Sequence, residues 1–439
     1  MSLDLKVFAL KSGSSLDRID CALVHYTQHS ADSSLHTELL RYHEIPIPPL
    51  IRNPFLALLG IGRPPDDDIS PAEIYLGKIF SSAVKWFCKT HHFSTNKVDL
   101  VSLASETASV SSLRLARVIA AHTSVTTVTD FMISGKRVRT TDDSFTTLID
   151  SIFIQHESKF RICINIGETT HASSLPPNGG HGHGRDAGIR TWDCGPASTV
   201  VNTAMLSYTN GISDTDTDGV WGARGNINYG LVKSFLHDNQ YPTTPSHKFN
   251  DNIPPQDLKA QALIEHCVFV GMNKYDTIAT LTRITSQNII NQYRQVLIRC
   301  MPQTQHIDEV VLCGRGATNP NILSHLQSEL PGTHIKTLED IGVPTVSKQT
   351  ITLAYLGLEA ILRRSVRISS GEETKIHAKI VPGEGWSAMA EKSAEFGGGS
   401  SAVVTKMIVG GKSKEGRQLS DGKWISLESP EASDKISFG

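Results

Sequence analysis

Hydrophobic and polar positions alternate along the first part of the chain, as they do in β-strands with one buried face. The segment LKVFAL (5–10) is followed by a Gly/Ser-rich turn and by IDCALVHYT (19–27). Two alternating segments joined by such a turn predict a β-hairpin. The segment HTELLRYHEIPI (36–47) continues the pattern and predicts a third strand.

The period of the pattern changes at Pro71. In the segment that follows, Ile74, Ile79, Val84 and Phe87 recur at mostly helical spacing, and proline suits the first turn of a helix. Three shorter segments then predict a strand, a helix and a strand: VDLVSLA (98–104), LRLARVIAAH (113–122) and TTVTDF (126–131). The first half of the chain is therefore predicted to contain three strands followed by α, β, α, β.

The same order of elements begins again near residue 160, with a strand, a glycine turn and a returning strand. Helices and strands then follow to about residue 364: FRICINIGETTHASSL (160–175), STVVNTAMLSYTN (198–210), one long helical stretch from Pro254 to Arg299, DEVVLCGRG (308–316), NPNILSHLQSEL (319–330), THIKTL (333–338) and SKQTITLAYLGLEAILRR (347–364). We expect two facing α/β halves, each led by a hairpin. A nucleotide can lie in the cleft between two such halves.

The composition agrees with a globular protein of two domains. The 439 residues are 39% hydrophobic and 20% charged, and 42 basic against 44 acidic side chains leave a net charge of −2. This balance gives no attraction to nucleic acid or to an anionic membrane. The domains are expected at 1–158 and 159–368, followed by a Gly/Ser-rich extension at 369–439 that is partly disordered or forms an appended hairpin.

Several features favour a cytoplasmic location. The seven cysteines are scattered and form no C-x-x-C pair, which favours a reducing compartment. The N-terminus lacks the positive charge of a signal peptide, and no stretch is apolar enough for a transmembrane helix. The Gly/Pro/His-rich segment 174–190 contains His181 and His183, but two histidines without further ligands predict no specific metal site. The sequence leaves homodimer formation open.

The turn of the first hairpin is a candidate phosphate site. In SGSSLDRID (12–20), small residues allow backbone N–H groups to approach a polyphosphate closely. The Asp17 carboxylate can hold Mg²⁺ through water. The alternative is an ordinary Gly/Ser turn with solvated charges.

A second candidate lies in VVLCGRGATNPNILSHL (310–326), where an apolar strand leads into Gly314 and Gly316 and a helix starts near Asn319. Such glycines let the backbone pack against an adenine or a phosphate, and a helix N-terminus favours anions. The stretch lacks the spacing of a dinucleotide fingerprint and the lysine of a P-loop. An ordinary strand–helix turn capped by asparagine is the alternative.

Two further stretches carry carboxylates. DTDTDG (214–219) imitates the start of a calcium loop, but the twelfth position is Gly225 rather than glutamate, so calcium is not expected. In RTWDCGPASTVVN (190–202), Asp193 precedes a Gly-Pro turn and a predicted helix. It is either a turn or capping residue, or a general base at a strand–helix junction beside the cleft.

These stretches, in this order, resemble the anhydro-N-acetylmuramic acid kinase family from residue 5 to about residue 365. The segment LKSGSSLDRIDCAL (10–23) is similar to the family's Met-Ser-Gly-Thr-Ser-Leu-Asp-Gly-x-Asp, and ICINIGETTHASSL (162–175) is similar to its Leu-Asn-Ile-Gly-Gly-x-x-Asn. The segment TWDCGPASTVVN (191–202) resembles Phe-Asp-x-Gly-Pro-Gly-Asn, and DTDTDGVWGARGNIN (214–228) resembles Asp-x-Asp-Gly-x-x-Ala-x-x-Gly. The segment VVLCGRGATNPNIL (310–323) resembles Val-x-x-Cys-Gly-Gly-Gly-Ala-x-Asn, and DIGVPTVSKQTITLAYLG (340–357) resembles Gly-x-Pro-x-x-x-Glu. Six collinear matches are hard to obtain by chance.

The resemblance implies an α/β fold of two facing actin-like (ribonuclease-H-like) domains with a nucleotide cleft between them. It implies ATP-dependent phosphorylation of a 1,6-anhydro amino sugar, coupled to hydrolytic opening of the anhydro ring, with ATP and Mg²⁺ required. The catalytic base maps onto Asp193, the metal partner onto Asp17, and the nucleoside side onto Gly314, Gly316 and Asn319. The phosphate turn maps onto Gly13, Ser14, Ser15, Leu16, Asp17, Arg18, Ile19 and Asp20.

The chain departs from the family's pattern at several positions. Arg18 and Arg315 stand where the family has glycine, Ser198 replaces an asparagine, and Gln349 replaces a carboxylate. The sugar side is largely rewritten, and its remaining candidates for substrate contact are Glu106, Thr107 and Asp130. Loss of an arginine and a histidine from such a pocket changes the substrate or abolishes turnover. The alternatives are therefore a catalytically impaired regulator that binds a sugar or a protein, and an ATPase without a sugar acceptor.

Overall fold

The structure is a computed structural model, and two groups of strands organise it. It describes residues 2–13, 16–59, 69–105, 110–133, 135–137, 148–177, 189–238, 256–300, 307–367, 373–396, 404 and 407–410.

The chain begins with an antiparallel sheet of three long strands. These are β1 (Leu3–Ser12), β2 (Arg18–Gln28) and β3 (Leu35–Pro46), and Val7 of β1 lies opposite Val24 of β2. The predicted hairpin and third strand are confirmed. Two parallel strands extend the sheet beyond β1: β4 (Leu100–Ser105) and β5 (Thr127–Ile133), with the short β6 (Lys136–Arg137) paired to β5.

Three helices accompany this sheet: α1 (Pro49–Leu59), α2 (Pro71–Thr90) and α3 (Ser112–Thr123). The helix predicted from Pro71 is confirmed, and its start is fixed by a capping box in which Ser70 and Glu73 bond each other's backbone N–H groups. Its buried face carries Phe80 and Phe87, and the Phe87 ring contacts Phe8 of β1 edge to face. Periodicity and capping therefore agree in this element.

The second sheet repeats the arrangement of the first. Its strands are β7 (Arg161–Ile166), β8 (Thr169–Leu175), β9 (Arg190–Pro196), β10 (Glu309–Cys313) and β11 (His334–Thr337). The order β9-β8-β7-β10-β11 matches β3-β2-β1-β4-β5 in both position and direction: an antiparallel trio followed by two parallel strands. The expectation of two hairpin-led halves is confirmed.

Helices of the second half are α4 (Ser198–Tyr208), α5 (Tyr229–Asp238), α6 (Gln256–Phe269), α7 (Lys274–Cys300) and α8 (Pro320–Glu329). The stretch predicted to be helical from about Pro254 to Arg299 is helical over most of its described residues, but it consists of two helices. The chain breaks between α6 and α7 at Gly271, whose φ of +78° is a left-handed conformation that a helix interior excludes.

The last helix returns to the first sheet. Helix α9 (Lys348–Leu362) packs on β1, β2 and β4, and β12 (Ser365–Arg367), β13 (Glu373–Val381), α10 (Trp386–Glu395) and β14 (Met407–Gly410) follow. Strand β13 pairs with β5 and β14 pairs with β3. We therefore define lobe I as residues 3–137 and 348–410, and lobe II as residues 161–337. These contacts favour an end of the second domain near residue 347 rather than at 368.

The two connections between the lobes meet at one buried cluster. Lys348, at the start of α9, forms an ion pair with Asp150, which precedes β7, and both side chains are almost fully buried. The Lys348 Nζ atom also lies 3.5 Å from the Cys163 Sγ atom and 3.6 Å from the Cys313 Sγ atom. A buried ion pair fixes the relative position of the segments that carry it. The two chain connections between the lobes therefore lie side by side at this cluster.

Candidate functional site

The hairpin turns of the two lobes face each other across a cleft. A Cβ atom placed on Gly13 of lobe I would lie 3.6 Å from the Oε1 atom of Glu168, at the tip of the β7–β8 turn of lobe II. The backbone carbonyl oxygens of Gly167 and Glu168 accept hydrogen bonds from Ser198 and Ala197, so this turn also holds the start of α4. We call the space between these two turns and the Gly314–Gly316 turn the cleft.

The lobe I turn is anchored by its apolar residues. Leu16 is buried and has a φ of 48°, and Ile19 is fully buried, so both side chains belong to the hydrophobic core of the lobe. The backbone carbonyl of Asp17 accepts a hydrogen bond of 2.7 Å from the Ile47 N–H. The predicted phosphate-site residues Ser14 and Ser15 lie outside the described residues.

Arg18 joins two carboxylates from opposite sides of the cleft. Its Nη2 atom lies 2.5 Å from the Oδ2 atom of Asp17 and 2.8 Å from the Oδ2 atom of Asp214 in lobe II. Burial raises the pKa of Asp214, although the Arg18 guanidinium opposes this effect. The arginine at the phosphate turn is therefore engaged in a contact between the lobes.

Arg315 makes the reverse contact. It extends from lobe II to lobe I, where its Nη1 atom lies 2.7 Å from Oε2 of Glu44 and its Nη2 atom 3.8 Å from Oδ1 of Asp20. Burial raises the pKa of Glu44, but the Arg315 guanidinium outweighs burial and leaves that pKa below its usual value. Burial raises the pKa of Asp20, whose Oδ1 atom accepts no hydrogen bond within the described residues.

Asp193 lies in the middle of β9, the strand that pairs with β8 after the lobe II turn. It is half-buried and lies opposite His171 of β8 in the strand register. Its Oδ1 atom accepts a hydrogen bond of 2.7 Å from the N–H of Gly195, whose φ is 91°. Asp193 therefore forms the local turn contact expected from the sequence.

Close packing requires the glycines of the Gly314–Gly316 turn. A Cβ atom on Gly316 would lie 2.2 Å from Cγ2 of Ile166. Gly314 has a φ of +82°, and a Cβ atom there would lie 2.6 Å from the carbonyl oxygen of Ile166. The Asn319 side chain accepts from the N–H of Asn321 and caps α8. An ordinary strand–helix turn capped by asparagine, the alternative to a nucleotide contact, thus accounts for the glycines. The turn still borders the cleft.

A polar cavity of about 280 Å³ lies beside this turn, between α7 and α8. The loop 214–225 connects it to Arg18, because Asp214 pairs with Arg18 and the Gly219 carbonyl accepts a hydrogen bond from Asn321. The buried Thr282 hydroxyl has no hydrogen-bond partner among the described residues. The residues that line the cavity include Gly222, Thr282, Arg283, Ser286, Asn321 and His325.

A divalent cation fits the cleft only if Arg18 moves. Carboxylates of Asp17 and Asp214 are the ligands that Mg²⁺ prefers, and they approach each other closely enough to share one guanidinium nitrogen. Within the described ranges, no group of three or more His, Cys, Asp or Glu side chains is arranged to hold a metal ion. Arg18 and a cation are therefore alternative partners of the two carboxylates.

The predicted substrate residues are only partly described. Asp130 lies in the middle of β5 with a φ of 53°, and it pairs with Arg137 at 2.6 Å and with Lys379 at 3.0 Å. The Asp130 carboxylate therefore forms ion pairs with both Arg137 and Lys379. Glu106 and Thr107 lie outside the described residues.

Comparison with known proteins identifies the family. A sequence model of the anhydro-N-acetylmuramic acid kinase family matches residues 5–375. The chain belongs to this family. Anhydro-N-acetylmuramic acid kinases of Acaryochloris marina and Crocosphaera subtropica are 26% and 28% identical to the chain, and the alignments cover 80% and 79% of this chain and 92% and 90% of those proteins.

The architecture is that expected of an anhydro-N-acetylmuramic acid kinase: two actin-like lobes with a cleft between them. Among solved structures, the chain is similar to the activator of 2-hydroxyisocaproyl-CoA dehydratase from Clostridium difficile (11% identity, TM-score 0.37, 80% and 94% of the two chains covered). It is also similar to a ROK hexokinase from Thermus thermophilus (11% identity, TM-score 0.30, 80% and 98% covered). No described helix combines the length and hydrophobicity that a membrane-spanning segment needs.

Sequence reasoning missed three residues of this kinase-family cleft. Glu44 and Asp214 are the cross-lobe partners of the arginines, and Glu168 stands at the tip of the lobe II turn. Signals existed for two of them: Asp214 begins the DTDTDG stretch, and Glu168 stands where the family has a second glycine. Glu44 follows the polar alternation of a strand and carries no motif.

Proposed function

We propose that the protein is an ATP-dependent kinase of a 1,6-anhydro amino sugar, with Asp193 as the general base. The observation that supports the proposal is that Asp193 lies on β9 opposite His171 of β8, the strand that begins at the lobe II turn, and that this turn faces Gly13. A base on this strand pair would accept a proton from a water or hydroxyl that lies between the turns. Family membership supplies the class of reaction.

In the proposed reaction, the Asp193 carboxylate takes a proton from the water that attacks the anomeric carbon. The bond between that carbon and the 6-oxygen breaks, and the 6-oxygen forms a new bond to the γ-phosphorus as ADP leaves. Mg²⁺, when bound, neutralises charge on the phosphates. Asp17 and Asp214 would hold it once Arg18 has released them.

The polar cavity between α7 and α8 is the proposed site of the nucleoside. Its volume of about 280 Å³ suits a purine nucleoside, and the hydroxyl of Thr282 offers an unused hydrogen-bonding group. The loop 214–225 and the Asn319 cap lie between the cavity and the phosphate turn. The proposal includes action in the cytoplasm, which agrees with the six free cysteines among the described residues.

The decisive experiment compares the wild type with Asp193→Asn. ADP release is coupled to an optical assay and measured with 1,6-anhydro-N-acetylmuramic acid and with ordinary amino sugars. Asparagine preserves the acceptor for the Gly195 N–H but cannot take a proton, so kcat is expected to fall about 10²- to 10⁴-fold. The matched control is Asp308→Asn. Asp308 also accepts a backbone N–H at 2.7 Å, but it precedes β10, at the end of that strand away from the Gly314–Gly316 turn.

Equal turnover by the wild type and Asp193→Asn would contradict the role of Asp193. No turnover by either protein, together with sugar binding that needs no nucleotide, would indicate the non-catalytic regulator. Release of phosphate without any sugar would indicate the ATPase.

A further inference from the structure

Two arginines cross the cleft in opposite directions. Arg18 extends from lobe I to Asp214 of lobe II, and Arg315 extends from lobe II to Glu44 and Asp20 of lobe I. Their side chains are 21% and 25% exposed. Each guanidinium is thus partly withdrawn from water and paired with a carboxylate of the opposite lobe.

Both arginines stand on turns that border the cleft. Arg18 follows the Gly13 turn, and Arg315 lies between Gly314 and Gly316. The Glu44 carboxylate interacts electrostatically with both guanidinium groups, so the two cations belong to one cluster. An anionic chain that lay between these turns would meet both of them.

We propose that Arg18 and Arg315 form a binding site for a linear polyphosphate chain, and that carboxylates of the opposite lobe occupy this site when no polyphosphate is present. The planar guanidinium fork matches carboxylate and phosphate oxygens equally well, which makes a carboxylate a suitable stand-in. A triphosphate carries several negative charges and displaces single carboxylates by its greater attraction. The inference deepens the proposed function by naming further residues for the phosphate chain of its nucleotide.

The exchange of partners has a mechanical consequence. When the guanidinium groups turn to phosphate, Arg18 leaves Asp214 and Arg315 leaves Glu44, and the ion pairs that connect the lobes are lost. A polyphosphate chain bound to both guanidinium groups then connects the lobes in place of these ion pairs. The cleft without ligand is therefore held closed by the protein's own side chains.

The test uses sodium tripolyphosphate with EDTA, a probe that lacks both a nucleoside and a divalent cation. Binding is measured by calorimetry for the wild type, Arg18→Ala, Arg315→Ala and the double variant. The double variant is expected to lose at least about tenfold in affinity, and each single variant less. The control is Arg114→Ala, because Arg114 pairs with Glu73 within lobe I and is 18% exposed.

Separation of the lobes is followed by small-angle X-ray scattering. Without probe, the double variant is expected to have a larger radius of gyration than the wild type, because it lacks both cross-lobe ion pairs. Tripolyphosphate bound to both arginines is expected to keep the wild type at its closed radius. The combination of Arg315→Glu with Glu44→Arg restores one cross-lobe pair in reverse. In the Arg18→Ala background, it is expected to return the radius toward the wild-type value, which a merely misfolded variant would not do.

Unchanged tripolyphosphate affinity in the double variant would overturn the binding site, and a double variant with the radius of gyration of the wild type would overturn the closing contact. Because the probe contains no nucleoside and no sugar is present, neither result depends on phosphoryl transfer. Asp193→Asn is expected to bind tripolyphosphate like the wild type. The polyphosphate site can therefore be retained if the kinase proposal fails, and the reverse also holds.

Discussion

The carboxylate of Asp193 contributes to a turn and, in the proposed function, to a reaction. Its Oδ1 atom accepts a hydrogen bond from the Gly195 N–H, which fixes the orientation of the side chain on β9. A base held in this way loses little conformational freedom when substrate arrives. The turn contact and the catalytic role, alternatives in the sequence, are compatible in one residue.

His91 predicts a loss of stability in acid. Its ring packs on Phe87 and His43, with centroids 4.6 and 5.8 Å apart, and burial lowers its pKa to about 4, assisted by the nearby His43 and Arg41. In the unfolded chain its pKa returns to about 6.5. The unfolded state therefore binds the proton more tightly, and stability is expected to fall as the pH decreases from 6.5 toward 4.

Urea unfolding at pH 7 and pH 5 measures this effect. His91→Phe keeps an aromatic ring on Phe87 but cannot bind a proton, so the difference in unfolding free energy between the two pH values is expected to shrink. An equal difference in the wild type and the variant would assign the acid sensitivity to other groups.

The residues of the cleft were only partly predictable from the sequence. Arg18 and Arg315 are conspicuous because they interrupt glycine-rich turns, yet their partners Asp214 and Glu44 lie 196 and 271 positions away along the chain. No local pattern connects residues so far apart. The residue types of the turns were therefore predictable. The ion pairs that their arginines form with carboxylates of the opposite lobe depend on how the lobes pack.

The turn after β10 packs so closely on β7 that it leaves no space for a side chain at Gly316. Gly316→Ala would place a Cβ atom 2.2 Å from the Ile166 side chain, so we expect a loss of about 1–3 kcal/mol in the free energy of unfolding. Gly385→Ala is the control, because no atom lies within 4 Å of the added Cβ. Urea unfolding of both variants checks the prediction, and equal losses would show that the contact relaxes without cost.

Elements with a strong period or a clear cap were predicted well, as α2 and the β1–β2 hairpin demonstrate. The break at Gly271 was missed because the residues on both sides have helical patterns, and a lone glycine is tolerated in many helices. Strands β13 and β14 were missed for a different reason. They complete the edges of a sheet formed far earlier in the chain, and their polar composition suits a half-exposed edge.

At the scale of the whole molecule, the described part of the C-terminal extension is a component of lobe I. Ile376, Met389, Phe396 and Met407 are buried in the core shared by the sheet and α9. Removing residues 369–439 is expected to lower the free energy of unfolding by at least about 5 kcal/mol, because each of these side chains contributes about 1.5–3 kcal/mol. A truncation after Gly410 leaves the described structure whole and is expected to preserve stability.

Thermal unfolding of the two truncated proteins checks this prediction. A stable protein ending at residue 368 would show that β13, α10 and β14 contribute little. It would also restore the interpretation of this segment as an appendage.

The return of α9 to the first sheet means that lobe II is an insertion within lobe I. A ribosome completes β1 to β5, then the whole of lobe II, and only afterwards α9, β13 and β14. Lobe II is continuous in sequence and can finish folding as soon as it emerges, whereas β5 waits for its edge partner. We therefore expect the hairpin that is synthesised first to belong to the lobe that is finished last.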